Sequence, residues 1–255
     1  MIKLPDLTQA ETDSIVPPKT ILLGYVGSIA HGTHIPSSNP DSIDDQDIMG
    51  ICVGEIETYL GLRSFEQKIT QYKSWDSCIY EIRKYFRLLL KQNPNVISLL
   101  WLRPEHYIYI SPIGQQIIDN RNLFASKESY KSFTGYAYAQ LQRMERFRFE
   151  GYMGAKRKEL VERFGYDAKN GAHLIRLMRM CNEYLETGEF IVCRPDAEEL
   201  KAIKTGQWQL EKIKEEAHRL FLKAGELVDR SRLPEKPDYK KAEELLISIL
   251  REELL

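Results

Sequence analysis

Cysteine is scarce in this chain of 255 residues, and long apolar runs are absent. The four cysteines lie far apart, with neither a Cys-x-x-Cys pair nor zinc-ligand spacing, which argues against a disulfide-stapled or zinc-ribbon domain and favours a reducing compartment. The longest apolar stretches, such as 21–23 and 88–90, are too short to cross a bilayer. The first residues also lack the charged and then apolar pattern of a signal peptide. We therefore expect a cytoplasmic protein without a membrane partner.

Charge is balanced over the whole chain but not along it. The 36 basic and 37 acidic side chains leave a formal net charge of −1. Residues 126–180 carry 12 Lys and Arg against 6 Asp and Glu, whereas residues 1–125 carry 11 against 14. A basic segment in an otherwise acidic chain favours an anionic ligand. The alternative is that these side chains only solvate helix faces.

The first half of the chain alternates predicted strands and helices. Residues 1–17 are polar and run into the pair Pro17-Pro18, so we expect an N-terminal arm there. Apolar runs bounded by glycine or turn residues predict strands, and an apolar stripe with helical spacing predicts a helix. The strands are expected at 21–26, 47–53 and between 68 and 80, and the helix over 81–92.

From about residue 126 onward the pattern becomes helical. Asp167 is placed to cap the start of a helix, and Gly188 is placed where a glycine commonly ends one. The predicted helices cover residues 130–148, 167–187, 198–204, 210–229 and 240–254. The sequence thus predicts an α/β domain over 18–125, after the arm, and an all-α domain over 126–255.

Two acidic residues, Asp45 and Asp47, stand at the start of the second predicted strand. Side chains two apart in a strand share a face, so both carboxylates are expected to project the same way. Two such carboxylates repel each other unless a cation lies between them. Mg²⁺ prefers oxygen ligands of this kind and takes triphosphate oxygens as further ligands, and Mn²⁺ is the alternative ion. A DxD alone, however, is more often a solvated strand end or a turn.

The pair Gly27-Ser28 follows the first predicted strand directly, and His31, Gly32 and Thr33 come shortly after it. Backbone N–H groups and a hydroxyl in such a turn can hold phosphate, because glycine allows close approach. Together with the acidic strand, this order of motifs indicates phosphoryl or nucleotidyl transfer, in which metal ions clamp the attacking and leaving oxygens. A Gly-Ser pair alone is usually just a turn.

These segments, 27–33 and 45–51, resemble the GS…DxD signature of the DNA polymerase beta-like nucleotidyltransferases. More narrowly, the chain is similar to a bacterial and phage family of predicted nucleotidyltransferases of RNA repair pathways. The other matching stretches are 80–86, 91–95, 99–101, 164–169 with His173 and Arg176, 194–196, 206–208 and 233–234. The resemblance covers about residues 20–250 and implies an α/β (α+β) nucleotidyltransferase domain with a mixed sheet, followed by an all-α C-terminal domain. The 16 residues between Ser28 and Asp45 make a longer loop than the superfamily usually has.

The resemblance also implies a third carboxylate on another strand of the same sheet. Such a residue helps to bind the metal and deprotonates the incoming hydroxyl. Asp76 is the expected residue because it ends or lies within the third predicted strand, and Glu81 is the alternative. Asp76 could instead simply cap the helix that follows.

Lys169, His173 and Arg176 lie at positions i, i+4 and i+7 of the helix predicted from residue 167, and therefore share one face. All three can donate hydrogen bonds to phosphate, and the resemblance places them in the nucleotide site. The alternative is a solvated face or pairing with acidic residues. A basic and aromatic track for RNA could extend this surface, although core packing is the alternative for its aromatic members. The track comprises Arg143, Arg146, Arg148, Lys156, Arg157 and Lys158 with Tyr136, Tyr138, Phe147, Phe149 and Tyr152.

We therefore expect a Mg²⁺-dependent nucleotidyltransferase that transfers a nucleoside monophosphate from an NTP to a hydroxyl and releases pyrophosphate. Asp45, Asp47 and Asp76 are the expected catalytic and metal-binding residues. The favoured acceptor is a tRNA-like RNA end, bound on the basic helical domain. The alternatives are a protein or small-molecule nucleotidylyltransferase, such as an AMP-transferring regulator or a toxin–antitoxin component, and a nucleotide or RNA sensor without turnover. The sequence leaves the oligomeric state open.

Overall fold

The computed structural model describes residues 2–36, 38–39, 42, 44–145 and 155–254. Several residues of the expected RNA track lie outside this description. They are Arg146, Phe147, Arg148, Phe149 and Tyr152, together with the side chain of Lys156. Within the described ranges, no helix is both long enough and apolar enough to cross a membrane.

The chain folds into two compact units, and each is built from more than one segment. The first unit comprises Met1–Ala30, Asp45–Ala125 and Lys236–Leu255, and the second comprises His31–Asp44 and Ser126–Glu235. The division expected from the sequence, at residue 125, assigned residues 31–44 to the first domain and the last helix to the second. In the structure the segment 31–44 folds with the helical unit, and the last helix folds with the sheet.

The first unit is organised around a mixed five-stranded sheet, as the expected fold class requires. The strands are β1 (Thr20–Tyr25), β2 (Gln46–Cys52), β3 (Gln67–Tyr72), β4 (Trp75–Glu81) and β5 (Tyr107–Ile110), in the order β3-β4-β2-β1-β5. β2 and β4 are parallel, and the other neighbouring strands are antiparallel. The single strand expected between 68 and 80 is in fact the hairpin of β3 and β4. Lys73, with φ of 54°, stands in its turn.

Residues 1–17, expected to form an arm, instead pack onto the sheet. A capping box starts helix α1 (Gln9–Ile15), because the amide of Glu11 donates to Thr8 Oγ1 at 3.3 Å and the amide of Thr8 donates to Glu11 Oε2 at 2.7 Å. Leu4 and Ile15 are fully buried in a core cluster that also contains Trp75 of β4. Leu7 and Val16 belong to the same cluster, which also contains Leu23 of β1 and Ile48 of β2.

Helices of the first unit flank the strands. They are α1, α2 (Gly27–Ala30), α3 (Ile56–Leu60), α4 (Ile82–Leu90), α5 (Pro94–Ile97), α6 (Pro112–Asp119) and α12 (Tyr239–Leu254). The predicted stripe of α4 is buried at Ile82, Tyr85, Phe86 and Leu89. Asn93 does not simply stop this helix, since its side chain accepts from the amide of Asn95 and starts α5.

The second unit consists of helices packed around one long central helix, α9. The helices are α7 (Ser129–Glu145), α8 (Ala155–Phe164), α9 (Ala168–Thr187), α10 (Ala197–Lys204) and α11 (Leu210–Arg230). α9 contacts each of the other four. Asp167 caps its first turn by accepting from the amide of Asn170 at 3.2 Å, and Gly188, with φ of 78°, ends it in the left-handed conformation. Both ends of this helix are therefore where the sequence predicted them.

Burial of the N-terminal segment predicts a measurable contribution to stability. We expect Leu4→Ala to lower the free energy of unfolding by about 2–5 kcal/mol, because a fully buried leucine leaves a cavity when it is truncated. Leu62→Ala is the matched control, since Leu62 is fully exposed and its truncation should change stability by less than about 0.5 kcal/mol. Urea denaturation measures both, and equal effects of the two variants would contradict the packing of this segment.

Candidate active site

Asp47 and Asp76 are neighbours on the sheet. β2 and β4 pair in parallel with Asp47 directly opposite Asp76. Adjacent strands lie about 4.8 Å apart, and residues in register project to the same face of a sheet. Both residues are half-buried. The two carboxylates therefore form a pair of like charges that a cation would stabilise.

Gly27 lies directly against one of these carboxylates. The amide of Val26 donates to the carbonyl oxygen of Asp47 at 2.9 Å, which fixes the end of β1 beside the start of β2. A Cβ atom on Gly27 would stand 2.9 Å from Asp47 Cγ and overlap with Oδ2, and the φ of Gly27 is +59°. Any other residue would therefore displace the Asp47 side chain. The Gly-Ser pair, expected as a turn, begins the single-turn helix α2, in which Ser28 is half-buried.

Asp45 lies just before β2 and is exposed. Among the described residues, no three His, Cys, Asp or Glu side chains are grouped closely enough to hold a metal ion. Mg²⁺ in proteins is often bound by only one or two carboxylates, with substrate phosphates and water as its other ligands. The pair Asp47 and Asp76, with Asp45 two residues away along the chain, fits this mode of binding.

Glu81, the alternative third carboxylate, is committed to a structural role. It is almost fully buried, its Oε2 accepts from the amide of Lys84 at 3.2 Å, and its Oε1 accepts from the hydroxyl of Tyr59 at 2.7 Å. Burial and this bond raise the pKa of Tyr59 well above its usual value. Glu81 is five residues beyond Asp76 on the same strand, so the two project to opposite faces. Glu81, and not Asp76, is thus the cap of α4.

His31, Gly32 and Thr33, expected in the phosphate loop, are packed inside the second unit. His31 Nδ1 donates to the carbonyl oxygen of Val192 at 2.9 Å, and the amide of Arg194 donates to the carbonyl oxygen of His31 at 3.2 Å. Burial and the nearby Arg176 hold the pKa of His31 well below its usual value. His31 is therefore a neutral imidazole whose Nε2 is left as an acceptor.

His173 is half-buried on α9, and its Nε2 has no hydrogen-bond partner. Burial, followed in importance by the charges of Arg176 and Lys169, lowers the pKa of His173 to about 3. His173 is consequently neutral at physiological pH, and its Nε2 is buried without a hydrogen-bond partner among the described residues.

Arg176 forms no ion pair with a carboxylate among the residues that the structure describes, although the charge of Asp196 acts on it. Its one hydrogen bond goes from Nη1 to the sulfur of Met180 at 3.3 Å, and sulfur is a weak acceptor. Burial and the charge of Arg194 lower the pKa of Arg176 to about 9, which still leaves the guanidinium charged at neutral pH. Its neighbour one turn along, Arg179, pairs with Asp196, Glu199 and Glu216.

A cation that forms no ion pair favours an anion as its ligand. Removing a charge from water is costly unless a counter-charge or hydrogen bonds replace the water. Arg176 and the orphaned ring nitrogen of His173 lie one turn apart on α9, and both lack an anionic partner in the described part of the chain. The arrangement can bind a phosphate, to which both side chains could donate.

Asp44 is a buried residue of this region that the sequence did not single out. Its side chain is 1% exposed, it accepts from the amide of Ile35 at 2.9 Å, and it forms an ion pair with Lys204. Lys169 Nζ lies 3.9 Å from Asp44 Oδ1. Lys169, one turn before His173 on α9, is therefore paired with an acidic residue. In the sequence, Asp44 was only the first of three acids around Gln46, with no signal that distinguished it from the metal-binding candidates.

Of the basic track, Arg157 is used internally, since its guanidinium bonds the Asp167 cap at 2.7 Å and Asn170 at 3.0 Å. Arg143 and Lys158 are exposed, as is the ring of Tyr138 on α7. These three remain accessible to a ligand of the second unit, whereas Arg157 stabilises the start of α9.

Comparison with known proteins supplies the family. The protein is similar to a solved structure of a nucleotidyltransferase-like protein from Exiguobacterium sibiricum, with 13% identity and a TM-score of 0.30 over 95% of this chain and 77% of that one. No curated protein matches it. The model of RlaP, the RNA repair pathway DNA polymerase beta family, matches residues 3–248 and confirms the resemblance noted in the sequence. The chain therefore belongs to the RNA repair pathway DNA polymerase beta family and is a nucleotidyltransferase.

Proposed function

We propose that this enzyme uses Mg²⁺ to transfer a nucleoside monophosphate from an NTP to a hydroxyl group at an RNA end. The observation that carries the proposal is the register of Asp47 against Asp76 across two parallel strands. This register gathers two carboxylates that would otherwise repel each other, and a divalent cation removes that repulsion. The family description, which names an RNA repair pathway, supports RNA as the acceptor.

Asp45, Asp47 and Asp76 would hold the metal, which supplies charge neutralisation for the phosphates in an in-line displacement. Mn²⁺ offers the same oxygen-ligand chemistry. Asp76 would also accept the proton of the attacking hydroxyl, since it is half-buried and lies beside Asp47. Gly27 leaves the space that Asp47 needs, so its role is to set the position of that carboxylate.

The phosphates of the nucleotide would be bound by Gly27 and Ser28 at the end of β1 and by Lys169, His173 and Arg176 on α9. Arg176 contributes the charge and His173 a neutral N–H group, because its pKa of about 3 excludes the imidazolium at neutral pH. The segment of His31, Gly32 and Thr33 would complete the nucleotide site, with the neutral His31 close enough to Arg176 for that charge to affect its pKa.

The RNA acceptor would lie along the exposed side chains of the second unit. Arg143 and Lys158 can bind phosphates of the backbone, and the exposed ring of Tyr138 can stack on a base. Phosphate contacts of this kind weaken as salt is raised. A tRNA-like end is the form of acceptor that we favour, because the family description and the basic segment 126–180 point in the same direction.

The transfer reaction can be tested directly with labelled nucleotides. The protein is incubated with each α-³²P-labelled NTP, Mg²⁺ and total small RNA, and the products are separated on a denaturing gel. Label in RNA would support the proposal. Label on the protein itself would replace it with protein modification. Nucleotide binding without any transfer would indicate a nucleotide sensor.

Removing either paired carboxylate should abolish most of the transfer. We expect Asp47→Asn and Asp76→Asn to lower kcat by about 10²–10⁴-fold, because each loses a metal ligand and Asp76→Asn also loses the base. Asp229→Asn is the matched control, since Asp229 is an exposed aspartate on α11 and this change should leave kcat unaltered. Retention of full activity by Asp76→Asn would exclude Asp76 as the third carboxylate.

Replacing Arg176 should weaken substrate binding and raise the stability of the protein. We expect Arg176→Met to raise the KM for the NTP by about tenfold, the usual order for a lost charge-assisted contact of about 1.4 kcal/mol. The same change should raise the thermal midpoint of the unliganded protein, because it removes a partly buried charge that forms no ion pair with the described residues.

Arg179→Met is the control for that experiment. Arg179 makes three ion pairs with acidic side chains, so its loss should lower the thermal midpoint. If Arg176→Met destabilised the protein as much as Arg179→Met and left KM unchanged, Arg176 would be a structural residue without a role in phosphate binding.

A further inference from the structure

The described residues of the loop 31–44 form hydrogen bonds with one another. Ser42 Oγ donates to the carbonyl oxygen of Ile35 at 2.6 Å, and the amide of Ile35 donates to Asp44 Oδ2 at 2.9 Å. The amide of Ser42 also bonds to the carbonyl oxygen of Asn39 at 3.0 Å. These bonds join Ile35 to Ser42 and to Asp44 across the loop.

Lys204 of α10 holds this loop at two points. Its ammonium group forms the ion pair with Asp44 and also donates to the carbonyl oxygen of Thr33 at 3.4 Å. Asp44 and Lys204 are both buried, with side chains 1% and 7% exposed. A buried ion pair with additional hydrogen bonds has a fixed geometry, because each charge must keep its partner. The backbone at Asp44 is therefore fixed relative to α10.

Asp45, the first proposed metal ligand, is the residue that follows Asp44 in the chain. Its side chain is exposed, and Asp45 itself precedes the strand, so the sheet ladder does not fix it. We propose that Asp44 is a positioning residue: its ion pair with Lys204 fixes the backbone from which Asp45 reaches the metal. The role of Asp45 as a metal ligand rests on the proposed function. The restraint of the backbone by the ion pair does not depend on it.

Lys169 connects the same carboxylate to the proposed phosphate site. Its ammonium group lies 3.9 Å from Asp44, beyond hydrogen-bond distance, and its side chain is 38% exposed. Lys204 supplies the close counter-charge of Asp44, so Lys169 can turn to a phosphate without leaving a buried carboxylate unpaired. Neutralising Asp44 should therefore not weaken nucleotide binding through Lys169.

The test separates positioning from simple stability. Asp44→Asn keeps the shape of the side chain and removes its charge, and Lys204→Gln removes the partner. For both variants we expect kcat to fall and the Mg²⁺ concentration for half-maximal activity to rise, each by about tenfold, the lower end of what second-sphere changes cost at metal sites. The KM for the NTP should not rise at saturating Mg²⁺. Lys204→Gln also serves if Asp44→Asn does not fold.

Glu216→Gln is the matched control, because Glu216 pairs with Arg179 in the same unit and precedes no proposed metal ligand. It should alter the thermal midpoint without changing the Mg²⁺ requirement. A folded Asp44→Asn with unchanged kcat and unchanged Mg²⁺ requirement would overturn the inference.

Hydrogen exchange tests the inference independently of any reaction. We expect backbone amides of residues 44–47 to exchange about tenfold faster in Asp44→Asn, the order expected when a bond to a charged group is lost. If the wild-type protein proved unable to transfer nucleotides, the proposed function would fail while faster exchange still supported the fixing of this segment by Asp44. Unchanged exchange would overturn the positioning role in either case.

Discussion

The parallel pairing of β2 with β4 is the constraint on which the candidate site depends. It sets Asp47 opposite Asp76, and a shift of one residue would move one carboxylate to the other face of the sheet. The buried residues of β4 hold this register, because Trp75 and Ile79 belong to the same core cluster as Leu4 and Ile15 of the N-terminal segment. Packing of residues 1–17 thus contributes to the geometry of two acidic side chains far along the chain.

The arginines on and beside α9 differ in the ion pairs that they form. Arg179 forms ion pairs with Asp196 and Glu216, and so connects α9 with α10 and α11. Arg194 forms ion pairs with Glu183 and Asp196. Arg176 lies on the same helix with no such partner among the described residues. An arginine without an ion pair lowers stability. Such a cost is expected where a charge is kept for binding, which agrees with the role proposed for Arg176. The physical difference between these arginines is their neighbours, and the sequence of α9 alone does not contain it.

The sequence predicted those features that depend on neighbouring residues, such as helix ends and strands. The ends of α9 followed from Asp167 and Gly188, and apolar runs bounded by glycine or turn residues located β1 and β2. The hairpin of β3 and β4 was missed because its turn is formed by Lys73 in a left-handed conformation, with no glycine to indicate it. Asp44 was missed because its buried partner, Lys204, is 160 residues away. Pairing over that distance leaves no pattern in a single sequence.

The candidate ligand-binding groups of the two units carry charges of opposite sign. In the first unit the pair Asp47 and Asp76 favours a cation, and in the second Arg176 favours an anion. A ligand that binds only the folded state stabilises it in proportion to the logarithm of its concentration. We therefore expect Mg²⁺ and a nucleotide each to raise the stability of the protein, because each would place a charge of opposite sign beside these groups.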